Sequence, residues 1–171
     1  SRAIWGARTA VFVIIVAVVM SLFIGVALGL ISGYIGGWLD RILVVVADAI
    51  YAFPSLLLAI VMTIVISGGQ SNVVGGVMAA AISITVVFVP QYFRVVRAET
   101  VRLKAEPFVE SAQVIGESKF RIITRHVYRN ATRNIPLIFT LNSSEAILTL
   151  AALGFLGFGI EPTSAAEWGY D

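Results

Sequence analysis

The sequence predicts an all-α, polytopic transmembrane helix bundle with a two-helix loop held outside the bilayer. Three observations predict it. Of the 171 residues, 58% are hydrophobic and only 13% are charged, against about 25% charged in ordinary soluble domains. The apolar residues fall in four runs, near 9–31, 42–66, 73–93 and 135–159, each long enough to cross about 30 Å of hydrocarbon as a helix. Most of the charge is gathered between Arg94 and Arg133. A segment of that kind is kept out of lipid because nothing there neutralises it. The whole of 1–171 reads as one transmembrane domain.

The first run, Thr9–Ile31, carries no charge and is too long for a signal-peptide core. Gly25 and Gly29 stand four apart, a spacing that lets two helices approach closely. Ser32–Arg41 holds three glycines, an aromatic pair and two charges, the composition of an interfacial turn. The second run, Ile42–Ile66, contains Asp48 and a Phe53-Pro54 step, and the proline predicts a kink. A polar turn over 67–72 leads to the third run, Val73–Phe93, where Ala79–Ala81 give a slim face. The fourth, Ile135–Gly159, contains Asn142-Ser143-Ser144-Glu145, and its far end is rich in glycine.

The basic residues set the orientation. Four spans place both ends of the chain on one side, with Arg2 and Arg8; the 32–41 turn and the charged loop share the other, with ten Lys and Arg. Ten against two makes the loop cytoplasmic and both ends extracytoplasmic.

Within the loop, near 105–131, Glu106-Pro107 suits a helix start. Phe108, Ala112 and Ile115 fall on one face of that helix, and Glu106, Glu110, Gln113 and Glu117 lie towards the other. Gly116 breaks the run. A second helix begins near Ser118, with Phe120, Ile123 and Val127 as its apolar face and Arg121, Arg125, Arg129 and Arg133 as a basic stripe. Arginines in such a stripe suit lipid phosphates. The acidic first helix does not, since anionic lipid would repel it, and it points to a protein partner.

Several chemistries are excluded. There is no Cys, hence no disulfide frame, thiolate metal site or thiol nucleophile. No phosphate-cradling G-x-x-x-x-G-K-[ST] loop occurs, so the chain does not itself hydrolyse ATP. His126 has no second His or Cys to share a metal and reads as a helix-surface residue. No cofactor, metal or catalytic residue is expected, and no nucleic-acid partner. Asn142, Glu145 and Asp48 are the polar groups within spans that are candidates for lining a translocation path. For Asp48, two turns from Arg41 and near the interface, a structural pairing is the favoured alternative.

Glu110-Ser111-Ala112-Gln113-Val114-Ile115-Gly116 resembles the EAA-x-x-x-G signature of ABC importer membrane subunits. Gly33-Tyr34-Ile35-Gly36-Gly37-Trp38-Leu39-Asp40, then Asp48 and Ala52-Phe53-Pro54-Ser55-Leu56-Leu57-Leu58-Ala59, resembles the dipeptide/oligopeptide/nickel permeases. So does Leu153–Gly159 leading to Trp168-Gly169. Order and spacing are similar to the second, C-type subunit of that group. The resemblance implies that Glu110, Ser111, Ala112 and Gly116 form a coupling helix docked in a groove of a cytoplasmic ATPase. It implies a second permease subunit, an extracytoplasmic solute-binding protein and an inner-membrane location. It also implies a span before Ser1 and another after Asp171, so that the chain reads as a fragment. Three departures stand out. The signature's middle Ala is Ser111. The family's Leu-Pro after the second helix is Tyr128-Arg129, which predicts that this helix runs on towards Ile135-Pro136. A Glu frequent in the last span is Leu150 here, with Glu145 five residues earlier.

The function expected is therefore an importer's membrane subunit for peptides, nickel or another small solute. The alternatives are a secondary transporter, for which Asp48 with Pro54 would be the ion site, and a non-transporting membrane scaffold.

Overall fold

The computed structural model describes residues 2–68 and 73–156. Among them every regular element is helical, in the order α1 (Arg2–Ile35), α2 (Gly37–Tyr51), α3 (Ser55–Ser67), α4 (Val73–Lys104), α5 (Pro107–Val114), α6 (Lys119–Arg121), a π-helical segment (Ile122–Val127), α7 (Tyr128–Ala131) and α8 (Ile135–Phe155). The helices α1, α4 and α8 are each long and apolar enough to cross a membrane, and α2 with α3 make a fourth, broken span.

The elements follow the predicted runs with instructive differences. α1 continues past Ile31 to Ile35, so the interfacial turn narrows to Gly36 and Gly37. Both have positive φ, +71° and +74°, which side chains with a Cβ rarely adopt. The second run is not one kinked helix. It stops at Tyr51 and restarts at Ser55. Pro54, at φ −55° and ψ 127°, is extended and has no N–H with which to continue α2. Its carbonyl instead accepts the Leu58 N–H at 3.0 Å, which opens α3. Pro90 lies inside α4 without ending it. α4 also absorbs the first part of the charged segment, running unbroken to Lys104. The helix after Gly116 does not run on to Ile135: it ends at Ala131, and Thr132–Asn134 form a turn. A continuous helix would need an N–H at Pro136, and the chain breaks before it. The glycines at 157 and 159, and the tail beyond them, lie outside the described residues.

Two compact units emerge. One comprises 1–21, 51–88 and 139–171, the other 22–50 and 89–138. In the first, Val13, Ala17 and Val18 of α1, Ala59 of α3, Ala79–Ala81 and Ile84 of α4, and Ala146, Leu150 and Leu153 of α8 are buried. Two of its buried hydroxyls bond between helices: the Thr63 hydroxyl donates to Ser83 Oγ at 3.0 Å, and the Thr85 hydroxyl to the Ala17 carbonyl at 3.3 Å. In the second unit one cluster joins Val26, Leu30 and Tyr34 of α1, Val96 and Leu103 of α4, Val109 and Ala112 of α5, and Ile122, Val127 and Ala131. The two short loop helices are thus built onto the ends of α1 and α4.

Candidate functional site

The first loop helix is bounded as its sequence requires. Glu106 is extended (φ −79°, ψ 144°) and Pro107 occupies the first helical position, where a missing N–H costs nothing. At the other end Gly116 has φ +88°. The Glu117 N–H reaches back to the Ala112 carbonyl and the Gly116 N–H to the Gln113 carbonyl, both at 3.0 Å. This is a Schellman turn, and it requires a left-handed residue where Gly116 stands.

The face α5 buries is not the one periodicity selected. Val109 (0% exposed) and Ala112 (6%) face the unit's own core. Phe108 is 39% exposed, Ile115 81% and Val114 83%. Glu110 and Ser111 are exposed, and the Ser111 hydroxyl is turned back onto the Pro107 carbonyl at 2.8 Å. Of the four signature residues, then, Glu110, Ser111 and Gly116 are accessible, and Ala112 is the point at which α5 rests on its own chain.

The second loop helix differs for a physical reason. Ser118 caps it, its hydroxyl accepting the Arg121 N–H at 3.4 Å. From Ile122 to Val127 it winds as a π-helix, with i→i+5 hydrogen bonds and more residues per turn than an α-helix. Ile122 and Val127, five apart, therefore share one face, and both are fully buried, followed by Ala131 at 1%. The expected apolar face of Phe120, Ile123 and Val127 assumed a 3.6-residue period. Phe120 is instead 77% exposed and Ile123 partly buried. Arg121, Arg125, Arg129 and Arg133 are all exposed, as the stripe predicts. His126 is half-buried, with Nε2 2.9 Å from Glu117 Oε2. That contact ties the turn after Gly116 to the π segment.

What holds the loop helices in place was only partly visible in sequence. Gly25 and Gly29 do mark a close approach, and Gly33 extends it by another turn. A Cβ at Gly25 would lie 2.5 Å from Tyr92 Cβ, one at Gly29 2.9 Å from the Phe93 carbonyl, and one at Gly33 2.8 Å from Thr100 Cβ. Three glycines at i, i+4 and i+8 therefore clamp α1 onto α4 over roughly 12 Å. Beside the clamp, Arg97 grips Asp40 through two bonds of 2.6 Å, from Nε and from Nη2. The Ser32 hydroxyl also donates to Asp40. Paired fork-to-carboxylate bonds are the strong, directional kind. They connect the start of α2 to the charged end of α4, a link hidden by a separation of 57 positions in sequence. Tyr34 adds two contacts at the loop's base: its hydroxyl accepts the Gln113 amide N–H at 3.4 Å, and Lys104 Nζ lies 5.6 Å from its ring centre.

The polar groups in the apolar runs have separate settings. Asp48 lies 3.6 Å from Arg94, with both side chains about half exposed; its partner is Arg94 on α4, not Arg41. Glu145 is half-buried, and one of its carboxylate oxygens lies 3.5 Å from the hydroxyl of Ser55, the first residue of α3. Asn142 is 2% exposed, and its side-chain amide nitrogen has no hydrogen-bond partner among the described residues. A leucine follows at Leu150, fully packed in its unit. Among the described residues no three His, Asp or Glu come together as metal ligands.

Comparison with known proteins bears on this arrangement. Residues 25–171 match the family described as "Binding-protein-dependent transport system inner membrane component". The chain is similar to the glutathione transport system permease protein GsiD of Escherichia coli O6:K15:H31 (strain 536 / UPEC) and of Shigella boydii serotype 4 (strain Sb227). Identity is 37% over 169 residues in both, covering 99% of this chain and 53% of the relative. The protein of the same name from Shigella flexneri serotype 5b (strain 8401) is 38% identical over 173 residues, with the same coverage. The chain spans about half the length of the curated relatives it matches.

Proposed function

The chain belongs to the family of binding-protein-dependent transport system inner membrane components, and from that premise we propose that it is a pathway-forming subunit of an ATP-driven importer for small peptides. A second permease subunit completes the pathway, an extracytoplasmic binding protein delivers the solute, and separate cytoplasmic ATPase subunits supply the energy. The relatives' name specifies glutathione, which favours a peptide over nickel as cargo. The ten-to-two distribution of basic residues favours a cytoplasmic position for the loop of α5 to α7.

One observation carries the reading. The loop has two sets of apolar side chains. Val109, Ala112, Ile122 and Val127 are used in its own core, whereas Val114, Ile115 and Phe120, at 83%, 81% and 77% exposed, are not. Exposed apolar side chains of this kind, on a segment too charged for lipid, mark a protein contact. Glu110 and Ser111, on the same short helix as Val114, are exposed as well. The docking surface is therefore the end of α5 and the start of α6, with Ala112 as internal support. Motion delivered there passes to α1, α2 and α4 through the glycine clamp and the Arg97–Asp40 pair.

Glu145 is the path-lining residue in this reading, and its position beside Ser55 at the break before α3 supports it. Asn142 is packed within its unit and Asp48 is ion-paired, which favours structural roles for both. The experiment is uptake of a labelled small peptide by the full-length subunit assembled with its permease partner, ATPase and binding protein. ATP-dependent accumulation is expected, together with impaired accumulation by Glu145→Leu at unchanged ATPase association. No accumulation of any peptide overturns the substrate class, and normal uptake by Glu145→Leu removes that residue from the path.

A further inference from the structure

Where α1 passes the turn between α7 and α8, the structure has an open groove of about 390 Å³. Phe23, Val26 and Leu30 form one wall, and Tyr128, Thr132 and Ile135 form the other. Its surface is mostly hydrocarbon. Thr132 does not offer its hydroxyl to the groove, having turned it onto the Tyr128 carbonyl at 2.8 Å. The groove volume falls within the range of small-molecule sites, roughly 300–1,000 Å³. The α1 wall belongs to a membrane-crossing helix, while the other wall belongs to the charged loop, so the groove lies where hydrocarbon meets water.

The residues beside this loop wall in sequence carry one sign of charge. Arg129 and Arg133 directly follow the lining residues Tyr128 and Thr132 in sequence, and Arg125 precedes them by a turn. All three are exposed. None has a side-chain hydrogen bond or ion pair among the described residues, in contrast to Arg97 and Arg102, which are paired with Asp40 and Glu99. An apolar slot whose lining residues alternate in sequence with exposed arginines matches a molecule with an apolar tail and an anionic head. Basic pockets beside membrane helices take phospholipid headgroups for the same reason.

We propose that this groove is a binding site for an anionic phospholipid, with an acyl chain between α1 and the α7–α8 turn and the headgroup phosphate on Arg129 and Arg133. The proposal uses the membrane location of the family and does not depend on ATPase docking, which involves the other end of the loop. Bound lipid would fill an apolar gap beside the loop helices' base and fasten the basic stripe to the membrane face.

The test uses the full-length subunit in its assembled transporter, reconstituted in liposomes, with a photoreactive residue at Ala27, which lines the groove and is exposed. The probes are phosphatidylglycerol and phosphatidylcholine. Each basic side chain near an anionic surface contributes roughly a fivefold preference, so two predict about 25-fold more lipid adduct with phosphatidylglycerol. Arg129→Gln with Arg133→Gln should abolish that preference. Should the probe disturb assembly, retention of the two lipids by the unlabelled protein, read by native mass spectrometry, gives the same comparison. Equal capture of both lipids, or a preference that survives the double substitution, overturns the proposal. So does an adduct to polypeptide, which would mean that another part of the full-length chain or a partner fills the groove.

Discussion

Replacing Gly116 separates two explanations of why a glycine stands there. If the turn after α5 needs a small residue because something lies close, Leu should be far worse than Ala. The structure says otherwise: a Cβ built at Gly116 meets nothing within 4 Å. The cost is therefore the backbone's, since φ is +88° and an L-residue held in the left-handed region costs roughly 1–2 kcal/mol. That amount is a factor of about 5–30 in the equilibrium between formed and unformed turn. Gly116→Ala and Gly116→Leu should consequently be alike, and Gly116→Asn milder, because Asn tolerates the left-handed region. The reporter is the Glu117 amide, whose hydrogen bond to the Ala112 carbonyl closes the turn. In the purified subunit its hydrogen exchange should accelerate about 5–30-fold for Ala and Leu. In the assembled transporter both should lose coupled ATP hydrolysis while inserting normally, on the proposed function. A Leu variant much worse than Ala in the isolated subunit, or no acceleration in either, would refute the reasoning.

Two further substitutions probe how the loop is carried. Gly29→Ala puts a methyl 2.9 Å from the Phe93 carbonyl and 3.0 Å from the Arg97 nitrogen; backbone atoms cannot rotate aside, so α1 and α4 must separate at a cost of roughly 1–3 kcal/mol. An unchanged unfolding midpoint in detergent would contradict the close approach. Asp40→Ala and Arg97→Ala should each destabilise by about 1.5–3 kcal/mol, the range for hydrogen bonds to charged groups. The double variant should be less affected than their sum by roughly 0.5–3 kcal/mol, and strict additivity would mean the pair is not coupled.

The residues that could be read from sequence are those whose effect is local. Glu106-Pro107 and Gly116 bound α5 through their own backbone preferences, and both boundaries are where the residues put them. Three of the four apolar runs become long helices because their length and composition suffice. Proline shows where local reading stops. Pro54 ends a helix and Pro90 does not: the residues just before Pro54 are exposed, with Tyr51 at 53% and Phe53 at 61%, whereas Pro90 lies between Phe88 and Tyr92, both fully buried. Packing around Pro90 holds the helix together through a missing hydrogen bond. The loop's buried face was missed because periodicity names an apolar stripe without saying which neighbour covers it, and α5 has apolar residues on two sides. The π segment added a second error, shifting Ile122 inward and Phe120 outward relative to a 3.6-residue repeat. Arg97 and Asp40 carry no mark of their pairing, since nothing in a charged helix end and a glycine-rich turn says that the two meet. Gly33 could have been found, because it continues the four-residue spacing of Gly25 and Gly29.

The central claim is that the outward apolar edge of α5, and not its inward face, meets the ATPase. Photoreactive residues placed singly at Ile115 and at Val109 in the full-length subunit, co-assembled with its ATPase in membranes, test it most directly. The two positions lie at the C-cap of one short helix and within it, but differ from 81% to 0% exposed. The account predicts an adduct between the Ile115 probe and the ATPase, and none from Val109. Capture of lipid alone at Ile115, or equal capture of the ATPase from both positions, would contradict it.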